Sequence, residues 1–293
     1  MTTDPAEMAA PEPERAIAFQ GVPGAYSHMA CRQAYPEIVP LPCHSFEDAF
    51  AAVREGRARL AMIPVDNTVA GRVADVHHLL PRGGLHIIGE CFVRVNHNLL
   101  SVKGATLEIV RTVESHVHAL GQCREFLRAC GYRVRVAADT AGAAEDVAHA
   151  GDPTRAAIAS RLAAEIYGLQ ILKSDIEDAE HNTTRFLVLA REPRHPGPTD
   201  GPVITTFTFR VRNRPAALYK ALGGFATSGV NMIKLESYLD NAFTQAAFYA
   251  DIMGHPAHEN VRLAFEELRF FSHHVEILGV YPADPFRERV SGV

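Results

Sequence analysis

The chain has 293 residues, 47% of them hydrophobic and 22% charged, which is ordinary globular composition with enough apolar surface for one large or two modest domains. A formal net charge of −5 supplies no basic field for phosphate backbones or anionic membranes, so neither nucleic acid nor a membrane is an expected partner. Five cysteines (Cys31, Cys43, Cys91, Cys123 and Cys130) lack C-x-x-C spacing, which fits reduced thiols better than a disulfide framework or a zinc site.

Residues 1–15 are rich in Pro, Glu and Ala, with no apolar run and no basic start, and read as a disordered tail without an export signal. No segment approaches the roughly 18 to 20 apolar residues that a bilayer crossing needs, so a soluble cytoplasmic protein is expected. Beyond the tail, short apolar runs alternate with amphipathic ones. Residues 16–20 read as a strand and 26–34 as a helix. Residues 46–55 read as a helix that Ser45 caps and Gly56 ends, with Asp48 at the capping-box position. A strand at 60–63, a helix at 73–80 and strands at 86–88 and 91–95 follow. Next come a strand at 109–113, a helix at 116–129 closed by Gly131, and a strand at 132–136. Asp139 or Thr140 is placed to cap a helix at 141–150, and 156–159 is a buried strand. Such alternation predicts parallel sheets covered by helices.

Residues 191–202 hold four prolines and two glycines, so they can neither propagate a helix nor donate a full ladder, and they read as a linker. After it the order changes to strand 203–211, helix 216–227, strands 231–238 and 246–253, helix 260–271 and strand 275–281. That β-α-β-β-α-β order is the ferredoxin-like plan.

Four junctions carry polar chemistry. Gly21-Val-Pro-Gly-Ala-Tyr-Ser27 joins a strand to a helix, where free amides and the Ser27 hydroxyl suit an anion; an ordinary turn with Ser27 as a cap fits equally well. Pro64-Val-Asp-Asn-Thr-Val-Ala-Gly71 ends a strand and offers Asn67 and Thr68, or else is an Asx turn held by its own side chains. Glu114-Ser-His-Val-His118 places Ser115 as a natural N-cap; His116 and His118, two apart on a helix, face different ways and do not share a metal. His77-His78 and His273-His274 read as solvated surface pairs, and no metal is expected. Asn182-Thr-Thr-Arg-Phe186 precedes the apolar run 187–190; Arg185 beside two hydroxyls and an amide can clamp a carboxylate bidentately, or sit in a surface ion pair. Neutral donors, one arginine and no Cys-His or Ser-His-Asp set describe an anion-binding cleft with mild chemistry or none.

These segments, in this order, resemble the prephenate dehydratase family over nearly the whole chain, from Ile17 to about Pro282. Residues 21–27 are similar to the family's Gly-x-x-Gly-x-Tyr-Ser start, and 64–71 to its Pro-Ile-Glu-Asn-Ser/Thr loop, with Asp66 in place of the usual Glu. Ser115-His116 resembles its Ser-His-Pro-Gln junction, with Val117 and His118 replacing Pro-Gln. Asp139-Thr-Ala resembles its Asp-Thr-Ala helix start, and 182–186 its Asn-x-Thr-Arg-Phe signature.

The resemblance implies an α/β fold with a catalytic domain over 16–192, built of two lobes like a type 2 periplasmic binding protein. A linker at 193–202, a ferredoxin-like ACT regulatory domain at 203–283 and a C-terminal tail at 284–293 complete it. It further implies conversion of prephenate to phenylpyruvate in L-phenylalanine biosynthesis. Aromatisation drives that reaction, so no cofactor or metal is needed, and the protein's part is positioning plus hydrogen-bond donation. By family match Thr184 assists the leaving oxygen, while Ser27, Asn67, Thr68, Ser115, Thr183 and Arg185 bind substrate and Phe186 supports Arg185 from behind.

Arg214-Pro-Ala-Ala-Leu-Tyr219 is similar to the Gly-Ala-Leu segment of ACT domains that bind phenylalanine, with Ala216 for the glycine; Glu236-Ser-Tyr-Leu239 shares two residues with their Glu-Ser-Arg-Pro segment. This implies L-phenylalanine as effector at Ala216, Ala217, Leu218, Glu236 and Ser237, with assembly as a homodimer or homotetramer. Arogenate dehydration, a non-catalytic amino-acid sensor and a solute-binding protein are the rival expectations.

Overall fold

A computed structural model of the chain describes residues 12–239 and 246–291. Most of the expected N-terminal tail lies outside these residues, and its last part, Pro13–Arg15, forms a short 3-10 turn. Two compact units divide the chain, residues 1–77 with 91–186, and residues 78–90 with 187–293. The expected boundary at 192–193 therefore moves to 186–187, and a segment from within the first block joins the second unit.

The elements in chain order are β1 (Ala16–Gln20), α1 (Tyr26–Ala34), β2 (Val39–Cys43), α2 (Phe46–Arg54), β3 (Leu60–Asn67), β4 (Gly71–Arg72), α3 (Ala74–Leu79), β5 (His86–Arg94) and β6 (Asn98–Ser101). Next come β7 (Thr112–Ser115), α4 (Val117–Gly121), α5 (Arg124–Cys130), β8 (Arg133–Val136), α6 (Thr140–Ala150), β9 (Arg155–Ala159), α7 (Arg161–Tyr167), β10 (Gln170–Lys173) and β11 (Thr183–Ala190).

The first unit holds two lobes. In one, β1 pairs in parallel with both β2 and β3, and β11 runs beside β3. Helix α2 starts as its sequence dictates, with Ser45 Oγ accepting from the Asp48 N–H at 3.1 Å. The other lobe is a five-stranded sheet in the order β10-β6-β9-β7-β8. Its middle strand pairs β7–β8 and β7–β9 are parallel, while β6 is antiparallel to β9 and β10, so the sheet is mixed rather than all parallel. Asp139 caps α6 through the Gly142 N–H at 2.7 Å, and Ser160 caps α7 through the Ala163 N–H at 3.0 Å. The small-residue face of α6 (Ala141, Ala144 and Val147) packs with Ala157, Ala159 and Ala163 into one apolar cluster.

The lobes meet at the Gly-rich turn after β1. The Ser160 hydroxyl donates to the Gly24 carbonyl at 2.6 Å, and Tyr167 Oη donates to the Pro23 carbonyl at 2.9 Å. Gly24 has a φ of +92°, and a Cβ there would stand 2.8 Å from Ala163 Cα. Only glycine meets both demands, a left-handed backbone and contact with another main chain. Ala25 is the N-cap of α1 and bonds nothing with its side chain, so Ser27 lies inside the first turn and does not cap the helix.

The second unit continues as β12 (Val203–Val211), α8 (Ala217–Thr227), β13 (Met232–Leu239), β14 (Ala246–Met253), α9 (Glu259–Phe271), β15 (Ser272–Pro282) and α10 (Phe286–Ser291). Strands β12 to β15 form an antiparallel sheet in the order β13-β14-β12-β15, the ferredoxin-like arrangement. Its core is aromatic: Phe207 stacks on Phe225 at 5.7 Å between ring centres and meets Phe265 edge-on at 4.9 Å. Helices α8 and α9 close over these rings because Gly224 has no side chain, a Cβ there meeting Glu267 Cβ at 2.8 Å. The expected C-terminal tail contains α10, which Arg287 ties down with two bonds, at 2.6 and 2.8 Å, to the buried Glu90 carboxylate.

Candidate active site

The site builds from the carboxyl end of β3 and the entry of the adjacent β11, whose first residues, 183–186, belong to the first unit. Asn67 closes β3. Its Oδ1 accepts from the Val69 and Ala70 N–H groups at 2.9 and 2.7 Å, an Asx turn that fixes the amide. With the oxygen so engaged, Nδ2 is the atom turned to β11, where it donates to Asn182 Oδ1 at 2.7 Å and to Thr184 Oγ1 at 2.9 Å. The Asx-turn reading of this loop holds, and the Asn67 amide, expected to meet the substrate, is engaged by protein partners.

Thr184 is 9% exposed and Asn182 is 1% exposed, so these bonds form in a water-poor setting where each is electrostatically strengthened. Thr184 Oγ1 accepts from Asn67, and its own proton has no acceptor among the described residues. A hydroxyl that accepts one bond is polarised to donate the next. The network runs on from Asn182, whose Nδ2 donates to Gln122 Oε1 at 2.8 Å. Gln122 Oε1 lies 2.7 Å from His97 Nε2, and His97 Nδ1 lies 3.0 Å from Tyr26 Oη. Burial holds the His97 pKa below its ordinary value against the opposing pull of Gln122 and Glu177, and burial also raises that of Tyr26 well above its own. Both are therefore neutral at physiological pH.

Gln122 and His97 were not expected at the site, whereas Asn182 was singled out with its motif. The expected helix over 116–129 is broken into α4 and α5, and Gln122 stands at the break. The Asp178 carboxylate makes that break by accepting from the Arg124 and Glu125 N–H groups at 3.0 and 3.1 Å, an N-cap delivered from far along the chain.

Several expected ligand contacts have other work. Thr68 Oγ1 donates to the His181 carbonyl at 2.7 Å and accepts from the Thr183 N–H at 2.9 Å, and the Thr68 N–H donates to the Thr183 carbonyl at 3.0 Å. Thr68 and Thr183 thus clasp the two loops through main chain. Ser115 is 0% exposed and donates to the Ile158 carbonyl at 2.6 Å, which ties β7 to β9; His116, not Ser115, is the N-cap of α4. The hydroxyl of Ser115 is a sheet tie because β7 extends through it.

Arg185 is 6% exposed, and Nη1 lies 3.6 Å from Asp66 Oδ2. β11 starts at Thr183, not at Leu187, and consecutive strand residues face opposite ways. The Thr184–Asn67 pair and the Arg185–Asp66 pair therefore lie on opposite faces of β3 and β11. The expected single cluster of Arg185 with Thr184 is corrected to two, with the buried Arg185 paired to an Asp66 side chain that is 28% exposed. Phe186 is fully buried on the Thr184 side of the strand, so it does not stand behind Arg185.

Ser27 is buried in the first turn of α1, whose opening amides have no side-chain cap, a setting that favours an anion. A cavity of about 300 Å³ opens at the carboxyl ends of β1 and β2, bordered by Gly21, Pro23, Cys43, His44 and Asp139. No group of three His, Cys, Asp or Glu among the described residues is arranged to hold a metal. No described helix is long and apolar enough to cross a membrane.

In the second unit, Ala216 is the N-cap of α8 and adopts a φ of 59°, the left-handed backbone that glycine takes without cost. Ala217 and Leu218 begin α8, whereas Glu236 and Ser237 lie on β13, an edge strand, with Glu236 3.9 Å from Lys234.

Comparison with known proteins adds a direction. A family model described as prephenate dehydratase matches residues 17–194. The chain is 52% identical, over 94% of its length and 99% of the relative's, to a protein of Komagataeibacter europaeus named as a bifunctional N-acyl-homoserine lactone acylase/prephenate dehydratase. It is 40% identical to arogenate dehydratase/prephenate dehydratase 1 of Arabidopsis thaliana, over 92% of this chain and 73% of that one. Among solved structures, a prephenate dehydratase of Arthrobacter aurescens in complex with L-Phe aligns with a TM-score of 0.84 at 29% identity, covering 92% of this chain and 90% of the other.

Proposed function

The chain belongs to the prephenate dehydratase family, and from that membership we propose that it converts prephenate to phenylpyruvate, carbon dioxide and water. In this reading the bond between the ring and its carboxylate breaks and its electron pair enters the ring. The ring C–O bond breaks at the opposite carbon, and the departing oxygen leaves with its electrons and takes up a proton to become water. Thr184 donates a hydrogen bond to that oxygen. A threonine hydroxyl is too weak an acid to deliver the proton outright, so its part is stabilisation of developing charge. The Asn67 to Thr184 bond of 2.9 Å carries this reading, because it turns the hydroxyl into a donor without an acceptor among the described residues. The opening amides of α1 with Ser27 receive a substrate carboxylate. Turnover of prephenate by purified protein, followed as phenylpyruvate formed, tests it; an absence of product from a folded protein would refute it.

Two further readings have specific support. Relatives near 40% identity carry arogenate dehydratase in their names, so arogenate, which would give phenylalanine directly, is the rival substrate, and side-by-side rates on the two decide it. The 52% identical relative is also named as an acylase, and release of free fatty acid from an N-acyl-homoserine lactone tests that activity here. We further propose that residues 203–283 act as an ACT-type sensor of L-phenylalanine in a cytoplasmic homo-oligomer. The ferredoxin-like element order and the L-Phe complex of the Arthrobacter relative support this. Titration calorimetry with phenylalanine and the oligomeric mass in solution test it.

A further inference from the structure

The amide network around Thr184 has a single self-consistent polarity. Turning Asn67 over would set its NH₂ against the Val69 and Ala70 N–H groups, donor against donor, so Oδ1 stays on that turn. Asn67 Nδ2 must then meet Asn182 Oδ1, and Asn182 Nδ2 must meet Gln122 Oε1. An oxygen at that position requires a hydrogen on His97 Nε2, 2.7 Å away. In a neutral ring Nδ1 is then an acceptor, and Tyr26 Oη at 3.0 Å is the donor in reach, sharing its proton with the Asn96 carbonyl at 2.7 Å. Two backbone amides at the end of β3 thus dictate the tautomer of a histidine four side chains away. The His97 main chain is held in turn, its N–H donating to Glu177 Oε2 at 2.8 Å.

We propose that His97 is a positioning residue: as the Nε2–H tautomer it locks Gln122, and through Asn182 and Asn67 it keeps the Thr184 hydroxyl proton turned to the reacting oxygen. If the Nε2 donor is lost, Gln122 can turn over, which puts NH₂ against the Asn182 NH₂. Asn182 then turns in its place, which sets its NH₂ against Asn67 Nδ2 and pushes that donor off its place on Thr184. The effect reaches the reacting atom as lost polarisation and orientation of one hydroxyl, and leaves substrate binding at α1 untouched. This rests on the assignment of Thr184 given above.

The test is a three-variant series with one spectrum. His97→Leu removes the donor, whereas His97→Gln places an amide N–H where Nε2–H stood. We expect His97→Leu to lower kcat about tenfold with KM within about threefold, and His97→Gln to recover most of that loss. In wild-type protein, ¹⁵N spectra of labelled histidine should assign His97 a protonated Nε2 and an unprotonated Nδ1 at neutral pH. A proton on Nδ1 overturns the proposal even if His97→Leu fails to fold, and so does a folded His97→Gln enzyme with a kcat ten times or more below wild type. Thr184→Ala separates the two levels. Full activity in that variant defeats the function reading itself. Loss of activity there, with wild-type kcat in His97→Leu, defeats only the relay.

Discussion

The two faces of β3 and β11 carry adjacent residues to different ends. On one, Asn67 and Thr184 meet at 2.9 Å as neutral groups in a longer amide network. On the other, Asp66 and Arg185 meet at 3.6 Å as an ion pair with a guanidinium almost removed from water. One residue of offset along each strand separates a hydroxyl available to a ligand from a charge engaged by the protein. Motif residues that adjoin in sequence are thus divided between a neutral network and an ion pair.

The largest expected effect tests the first face. Thr184→Ala should cut kcat at least about tenfold while the protein stays folded, its stability lowered by about 1 kcal/mol for the one buried hydrogen bond that is lost. Turnover within twofold of wild type would remove the distinction between the faces. The second face predicts the opposite pattern. Arg185→Met removes the 3.6 Å ion pair to Asp66 and should cost about 1–3 kcal/mol in urea unfolding, with a small change in KM. A large rise in KM at unchanged stability would return Arg185 to the ligand.

Acid should act through the neutral face. Burial lowers the pKa of His97 from its ordinary 6.5, so below that pH the unfolded chain binds a proton that the folded chain resists. Stability from this site is complete above pH 6.5 and is lost as pH falls through it, by at most about 1.4 kcal/mol per pH unit. Melting at pH 7.5 and 5.5 should show the loss in wild type and less of it in His97→Gln. His28, His116 and His255 are shifted the same way by burial and contribute to the remainder. The smallest effect belongs to Asp66→Glu, whose extra methylene closes the 3.6 Å gap to Arg185 and should stabilise by about 0.5 kcal/mol without altering kcat.

What the sequence disclosed was local. Ser45 and Asp139 cap the helices that their positions announce, and the β-α-β-β-α-β run after the linker reads directly. Strand β2 escaped notice because Val39-Pro-Leu-Pro-Cys43 carries two prolines, which a strand at the end of its sheet tolerates. The break in the helix at Gln122 depends on Asp178, 54 residues from Arg124, and no local pattern reports that. Gln122, His97 and Asn182 converge only through the tertiary fold. The division at Arg185 was more accessible. Thr183-Thr-Arg-Phe186 is rich in strand formers, and starting β11 there separates Thr184 from Arg185 by alternation alone.

A crystal structure with an unreactive analogue of prephenate tests the central assignment most directly. The ring oxygen is expected about 3 Å from Thr184 Oγ1, with Arg185 still on Asp66. An analogue whose carboxylate instead draws Arg185 away from Asp66, with its ring oxygen beyond reach of Thr184, would contradict it.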